Sequence, residues 1–299
     1  MDISVDRDLL LNKLLLVSGA VERRHTIAIL SHLLFEVKGA QLSVTATDSE
    51  IEIITHLPLI ESKTDAKITI PSQLIVDICR SLPEKSTIQF KLQGSRMLVT
   101  SNKSRFQLAT LPAEEFPLAE TGRINVEVSI KKTQLKQLID RSAFAMAQQD
   151  VRYFLNGMLL RFSSDAIQVI ASDGHRLAIT KIEQSFTVSD EKVVILPRKA
   201  VLELGRLLDD SDSELKVGLG DNHMCLSCED FQFSSKLIDG KFPDYSRVIP
   251  KNNDKIVKVN KSLFGQALTR AAILCNEKYN GIRLVLSSDL LKLDVVNPD

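Results

Sequence analysis

The chain contains no tryptophan, and aromatic residues make up only 5% of its 299 positions. Stacking of unpaired bases on aromatic side chains therefore has little support. An excess of charge of one sign is also missing, because 38 Lys and Arg balance 38 Asp and Glu. That argues against a protein held on nucleic acid by bulk charge alone, although a local basic face stays possible. Cysteines are few and irregularly spaced (Cys79, Cys225, Cys228 and Cys275), which is not a disulfide framework. No apolar run approaches the ~20 residues of a membrane span. The start, Met1 to Asp6, is charged and lacks a signal-type apolar core. These features suit a soluble, cytoplasmic protein with reduced thiols.

Catalytic signatures are equally sparse. There is no G-x-x-x-x-G-K-[ST] phosphate loop, no G-x-G-x-x-G after a strand and no G-x-S-x-G elbow. Two clusters need weighing. His223, Cys225 and Cys228 could hold zinc, but on a strand residues three apart point to opposite faces, and no second C-x-x-C exists. Ordinary strand cysteines are the better reading. Ser172-Asp173-Gly174-His175-Arg176-Leu177 offers an acid–base pair without a nucleophile or oxyanion device. Its Gly marks a turn, so a surface loop with a binding duty fits better than catalysis. No cofactor and no metal are expected.

What the chain does have is an internal repeat. Apolar residues make up 44%, enough for packed cores, and the length allows two or three domains. Three segments begin as a short strand feeding an amphipathic helix. The first is Ile3 to Val5, then Leu10, Leu14 and Val17 on one face. The second is Val126 to Ile130, then Leu135, Leu138 and Ile139. The third is Ile256 to Val259, then Leu263, Phe264, Ala267, Leu268 and Ala271. Each helix is followed by two strand-like runs: Leu33–Val37 with Leu42–Ala46, Met158–Phe162 with Ile167–Ala171, and Arg283–Leu286 with Leu291–Val295. Asp48 and Asp173 stand 125 residues apart at matching points.

The first two segments carry a second half-unit as well. Ile68 to Pro71 precedes a helix with Leu74, Ile75, Ile78 and Cys79. Val194 to Pro197 precedes one with Val201, Leu204 and Leu208. Proline just inside a helix start is well placed, since its missing N–H would be unpaired there. Strands follow, and both half-units close on similar phrases, Glu115-Phe116-Pro117 and Lys241-Phe242-Pro243. The fold class expected is α+β, each domain having two helices packed on antiparallel sheets. The expected domains are 1–122, 123–252 and 253–299, the last being only the first half of its unit. Basic residues lie on or beside the helices, among them Arg7, Lys13, Lys132 and Arg206. They read equally well as solvated faces or as a surface touching phosphates.

Several linked motifs resemble the bacterial DNA sliding clamp, the beta subunit of DNA polymerase III. They are Gln149 to Leu159, Ser172 to Ala178, Pro197-Arg198-Lys199, Lys241 to Tyr245 and Asn276-Glu277-Lys278. The resemblance runs the length of the chain. It implies a non-catalytic processivity factor, in which two subunits join head to tail in a ring around duplex DNA. The resemblance implies DNA-facing roles for Arg24, Arg80, Gln149, Arg198 and Lys199. It implies a partner-peptide pocket at Leu155, Ser172, Gly174, His175, Arg176, Leu177, Pro243, Arg247 and Val248. This pocket would serve the polymerase III alpha subunit, the clamp loader, other polymerases and repair proteins. Phe106, Leu108, Ile273 and Leu274 resemble dimer-interface positions. Ser172 stands where the family more usually has Thr. The half-built third unit leads to an expectation of weakened ring closure and partner binding. Two other readings stand beside this one: a clamp-like regulator that sequesters peptides without encircling DNA, and a zinc enzyme using His223, Cys225 and Cys228.

Overall fold

The computed structural model describes residues 1–22, 27–119, 122–186, 188, 190–276 and 281–296. The chain divides into two compact units, Met1–Phe242 and Pro243–Asp299.

The first unit is built twice over from one plan. In the first copy, β1 (Asp2–Asp6) leads into α1 (Arg7–Val17), then β2 (His32–Lys38), β3 (Gln41–Thr47), β4 (Ile51–Pro58) and the short β5 (Glu61–Ser62). There follow β6 (Ala66–Pro71), α2 (Ser72–Ser81), β7 (Thr87–Gln93), β8 (Arg96–Ser101) and β9 (Ser104–Ala109). The second copy runs β10 (Val126–Lys131), α3 (Lys132–Asp140), β11 (Gly157–Phe162), β12 (Ala166–Ser172), β13 (Leu177–Glu183) and β14 (Lys192–Pro197). It ends with α4 (Arg198–Leu207), β15 (Glu214–Leu219), β16 (His223–Ser227) and β17 (Gln232–Lys236). The offset of 125 recurs at the starts of α1 and α3, β2 and β11, and β3 and β12.

Helix α1 starts where it does because the Asp6 carboxylate accepts from the backbone N–H groups of Asp8 and Leu9, each at 2.9 Å. Leu10, Leu14 and Val17 are fully buried, contributing about 1.5–3 kcal/mol each. Helix α3 buries Leu135, Leu138 and Ile139, as its periodicity requires. In α2 the face is rotated by a step: Val76 is buried and Leu74 stays 52% exposed. Pro71 and Pro197 end the strands before α2 and α4 and sit one position outside the helices.

All strand pairings are antiparallel. A five-stranded sheet has the order β5-β1-β7-β8-β9, and a four-stranded one the order β13-β12-β11-β14. An eight-stranded sheet, β10-β15-β16-β17-β4-β3-β2-β6, crosses from one copy to the other. The crossing is the β17–β4 pair, with Phe233 opposite Ile53. Strands β4 and β13 were not foreseen. In β4 the inward residues Ile51, Ile53, Thr55 and Leu57 are buried while Ile54 and His56 are only partly so, but an apolar Ile54 on the outer face and a polar Thr55 on the inner one blur that alternation in the sequence.

Two basic helix-start residues are not surface groups. Arg7 is buried, its Nε donating to the Cys79 carbonyl at 2.6 Å and its Nη2 to that of Arg80 at 3.2 Å, at the end of α2. Lys132, 125 positions on, is only 3% exposed and pairs with Asp230 at 2.9 Å and Asp209 at 3.5 Å. Such placements need paired charges, and both are paired.

In the second unit, α5 (Lys261–Ala272) is capped by Asn260 and followed by the hairpin β18 (Arg283–Leu286) and β19 (Leu291–Asp294). Residues 256–259, expected as a strand, are not one. A strand needs a hydrogen-bonding neighbour. β1 has β7 and β10 has β15, and the described residues of the second unit include no counterpart of either. For the same reason α5 buries none of its residues.

Candidate functional site

Five of the six expected pocket residues of the first unit, all but Leu155, gather on one hairpin. Ser172 ends β12, Leu177 opens β13, and the two are paired across the strands. The Ser172 hydroxyl donates to the Arg176 carbonyl at 2.8 Å and accepts from the Gly174 N–H at 3.1 Å. Asp173 accepts from the N–H groups of His175 and Arg176 at 2.9 and 3.0 Å, and from Arg176 Nε at 3.0 Å. The His175 N–H, followed by Arg176, holds the Asp173 carboxyl below its usual range. This self-bonded loop leaves Gly174, His175 and Arg176 exposed and Leu177 half-buried. It is a surface turn of fixed shape that presents a cation, an imidazole and an aliphatic edge.

Two flanking residues had not been singled out. Arg152 grips Asp150 with two bonds of 2.8 and 3.0 Å and reaches the Asp173 carbonyl at 3.3 Å. Its grip pulls the Asp150 carboxyl down to about 2. Gly174 has φ +87°, and a Cβ there would lie 2.9 Å from the Arg152 guanidinium. Glycine suits this left-handed conformation, while a Cβ would displace only the flexible end of the Arg152 side chain. Arg152 also opens the turn that buries Leu155, whose N–H donates to the Arg152 carbonyl at 2.9 Å. On the other side, the Arg176 guanidinium lies 5.5 Å from the ring centre of Phe144, which is 58% exposed. The sequence signal for Arg152 was the Asp-x-Arg spacing at 150–152; nothing local marks Phe144.

The other expected pocket residues lie in the second unit. Asp244 caps the turn Tyr245–Arg247, accepting from the Ser246 N–H at 3.1 Å and its hydroxyl at 2.6 Å. Arg247 Nε lies 3.0 Å from Asp244, and Val248 is 67% exposed. Pro243 opens this unit. Ile273 and Leu274, just past α5, are exposed.

Of the expected DNA-facing residues, Arg24 lies outside the described residues. Arg80 is exposed in the last turn of α2, 3.9 Å from Asp77. Gln149 is exposed at φ +56°. Arg198, which opens α4, donates to the Met146 carbonyl at 3.3 Å, so α4 begins beside the loop carrying Gln149. Lys199 pairs with Asp48 and, at 3.2 Å, with Glu22, both from the first copy. Burial pulls its pKa down, but Asp48 and Glu22 outweigh this and raise it. Further along α4, Arg206 donates to the carbonyls of Leu15 at 3.2 Å and Leu16 at 2.6 Å, at the end of α1. On the expected edge strand, β9 is terminal in its sheet, with Leu108 buried and Phe106 half-buried.

The zinc reading has no geometric support. Cys225 Sγ lies 3.7 Å from the Ser234 hydroxyl, Cys228 Sγ 3.7 Å from the Phe231 carbonyl, and both are free thiols. Among the described residues no group of three His, Cys, Asp or Glu could hold a metal. Among them also, no helix is long and apolar enough to cross a membrane.

Comparison with known proteins settles the family. Residues 1–120, 129–244 and 246–299 match, in turn, the N-terminal, central and C-terminal domains of the DNA polymerase III beta subunit. The chain belongs to the bacterial beta sliding clamp family. The beta sliding clamp of Pseudomonas aeruginosa is 46% identical over all 299 residues, which cover 82% of that relative, and that of Escherichia coli is 43% identical, with 81% covered. A crystal structure of the Pseudomonas aeruginosa clamp bound to griselimycin superimposes with a TM-score of 0.95, covering 100% of this chain and 81% of that one. Caulobacter crescentus pol III beta, at 31% identity, gives 0.91, with 100% and 82% covered. As a beta clamp, the chain is a processivity subunit of DNA polymerase and not an enzyme, and its α+β repeats are clamp domains.

Proposed function

We propose that this clamp forms a head-to-tail homodimeric ring around duplex DNA and tethers its partners through the Ser172–Leu177 hairpin. The domains of each subunit are then 1–122, 123–252 and 253–299. The observation that carries the ring is the fate of one strand in each copy. β17 joins the two copies by pairing its outer edge with β4. β9 occupies the same place in the first copy, and it ends its sheet. An unpaired strand edge invites pairing. Here the partner is a second chain, and Phe106 and Leu108 lie on the seam, facing Ile273 and Leu274 of that chain.

DNA is held by enclosure, with Arg24, Arg80, Gln149, Arg198 and Lys199 making sparse, sequence-independent phosphate contacts. The balanced net charge agrees with such a grip. The pocket at Leu155, Ser172, Gly174, His175, Arg176 and Leu177 takes apolar anchors of a partner peptide. Its users are the polymerase III alpha subunit, the clamp loader, other polymerases and repair proteins. The work is done in the cytoplasm.

Retention on DNA tests the ring. Loaded clamp is expected to stay on a closed circle and leave when the circle is cut. Equal loss from intact and cut circles would favour a peptide-sequestering protein. Phe106→Ala is expected to weaken dimerisation by at least ~1 kcal/mol in sedimentation; an unchanged dimer constant would remove β9 from the seam.

A further inference from the structure

The cations at the helix ends of the first unit differ in the company they keep. Arg198 opens α4 and donates to a neutral acceptor, the Met146 carbonyl. Arg80 lies 3.9 Å from Asp77, a carboxylate already held by the Gln73 amide at 2.9 and 3.0 Å. Lys199, one position past Arg198, is held by two carboxylates at once. They are Asp48, in the β3–β4 loop, and Glu22, after α1, at 3.2 Å.

The two carboxylates are not equivalent. The Asp48 side chain is 4% exposed and also accepts from the N–H groups of its own turn, those of Glu50 and Ile51. So closed a carboxylate needs Lys199 as its counter-charge. The Glu22 side chain is 30% exposed, close to the 38% of Lys199 itself. Asp48 alone balances the ammonium, so Glu22 is a surplus charge and the three groups together are net negative. An ammonium has three N–H donors. The two carboxylates engage two of them, which leaves one for any further acceptor.

We propose that Glu22 is a negative determinant of the DNA grip: it competes with phosphate for Lys199 and keeps that contact weak. The inference rests on the ring reading, in which Arg198 and Lys199 face the duplex. Along a backbone of like phosphates, a cation already shared between two carboxylates loses little when the polymer moves one step. An enclosing ring needs contacts of that kind, because strong ones would hold it in place. Arg198, with a carbonyl as its neighbour, supplies the larger share of the attraction. Asp48 fixes where Lys199 stands, and Glu22 sets how much of its charge DNA receives.

The test is titration of a fluorescently labelled linear duplex with the whole chain, read by anisotropy at low and at moderate salt. Open ends let a closed ring thread on. Glu22→Gln keeps the side-chain shape and removes the charge. It is expected to bind about two- to five-fold more tightly at low salt, the range of an exposed ion pair. The gain should shrink as salt rises. Structural damage would weaken binding, so tightening cannot come from it. Lys199→Gln, whose amide can still donate to Asp48, is expected to cost less affinity than Arg198→Gln. When Glu22→Gln and Lys199→Gln are combined, the gain should vanish. A gain that survives in the double variant means that Glu22 acts through the general field rather than through Lys199, and it overturns the proposal. If Arg198→Gln binds as tightly as the parent, the DNA-facing reading of α4 falls and the inference with it. A loss at Arg198 with no gain at Glu22 sinks the inference alone.

Discussion

The two hairpin loops at Asp48 and Asp173 have the same hydrogen bonds and opposite surroundings. In the first, the Thr47 hydroxyl donates to the Ile51 carbonyl at 2.8 Å and accepts from the Ser49 N–H at 3.0 Å. Asp48 accepts from the N–H groups of Glu50 and Ile51 at 2.8 and 2.7 Å. In the second, Ser172 and Asp173 repeat every one of these bonds. Yet Asp48 is 7% exposed and ion-paired to Lys199 of the other copy, whereas His175 and Arg176 stand in solvent. A duplicated turn of fixed shape has been spent once on joining the copies and once on presenting side chains. Local bonding sets the loop, and the neighbour decides what it does.

The largest expected effect follows from that contrast. Asp48→Ala removes two turn bonds and leaves Lys199 half-buried with only Glu22. It is expected to cost about 2–3 kcal/mol in urea unfolding. Asp173→Ala removes the matching turn bonds at the surface and should cost about 1 kcal/mol, while weakening partner-peptide binding through a loosened Arg176. Equal losses of stability would mean the seam adds nothing to the first loop.

The middle position of each turn sharpens the comparison at a smaller scale. Ser49 takes φ +75° without being glycine, and Gly174 takes +87° beneath the Arg152 guanidinium. Gly174→Ala must bear a left-handed backbone, for about 1–2 kcal/mol, while the flexible end of Arg152 moves aside. Ser49→Gly relieves strain of similar origin but frees the unfolded chain, so its net effect should stay within about 0.5 kcal/mol of zero. A Gly174→Ala variant as stable as the parent, judged by thermal unfolding, would show that this turn tolerates a Cβ as readily as the one at Ser49 does.

Much of this was readable in the residues, because duplication writes itself as periodicity. The faces of α1 and α3, the offset between Asp48 and Asp173, and the hairpin at Ser172 all follow from local pattern. Three things did not. β4 buries Glu52 and Thr55 and leaves Ile54 partly open, so the polarity of its residues does not follow its faces. Arg7 and Lys132 look like surface charges, because the carbonyls of α2 and the carboxylates of Asp209 and Asp230 that accept them are 72 or more positions away. The expected strand at 256–259 had the right composition but no neighbour to bond among the described residues. For the two charges the deciding partner was distant in sequence.

The smallest effect is a difference in sign with pH. Glu52, the counterpart of Leu177, is 4% exposed and accepts from the Ala119 N–H at 2.9 Å. Burial raises its carboxyl above the ordinary value near 4.5, against that one bond. A raised carboxyl means the folded chain holds its proton more firmly than the unfolded chain does. The seam of the first copy therefore gains stability as pH falls toward 4.5 and loses it as pH rises through the folded value. Asp150 behaves oppositely. Held at about 2 by Arg152, against 3.8 normally, it stabilises its loop above about pH 4, and that contribution disappears as pH falls toward 2. Glu52→Gln should flatten the first dependence and leave the second intact in unfolding measured from pH 6 down to 3. If the variant kept the same slope above pH 4.5, the source would lie elsewhere, and the buried carboxylate would be as well solvated as an exposed one.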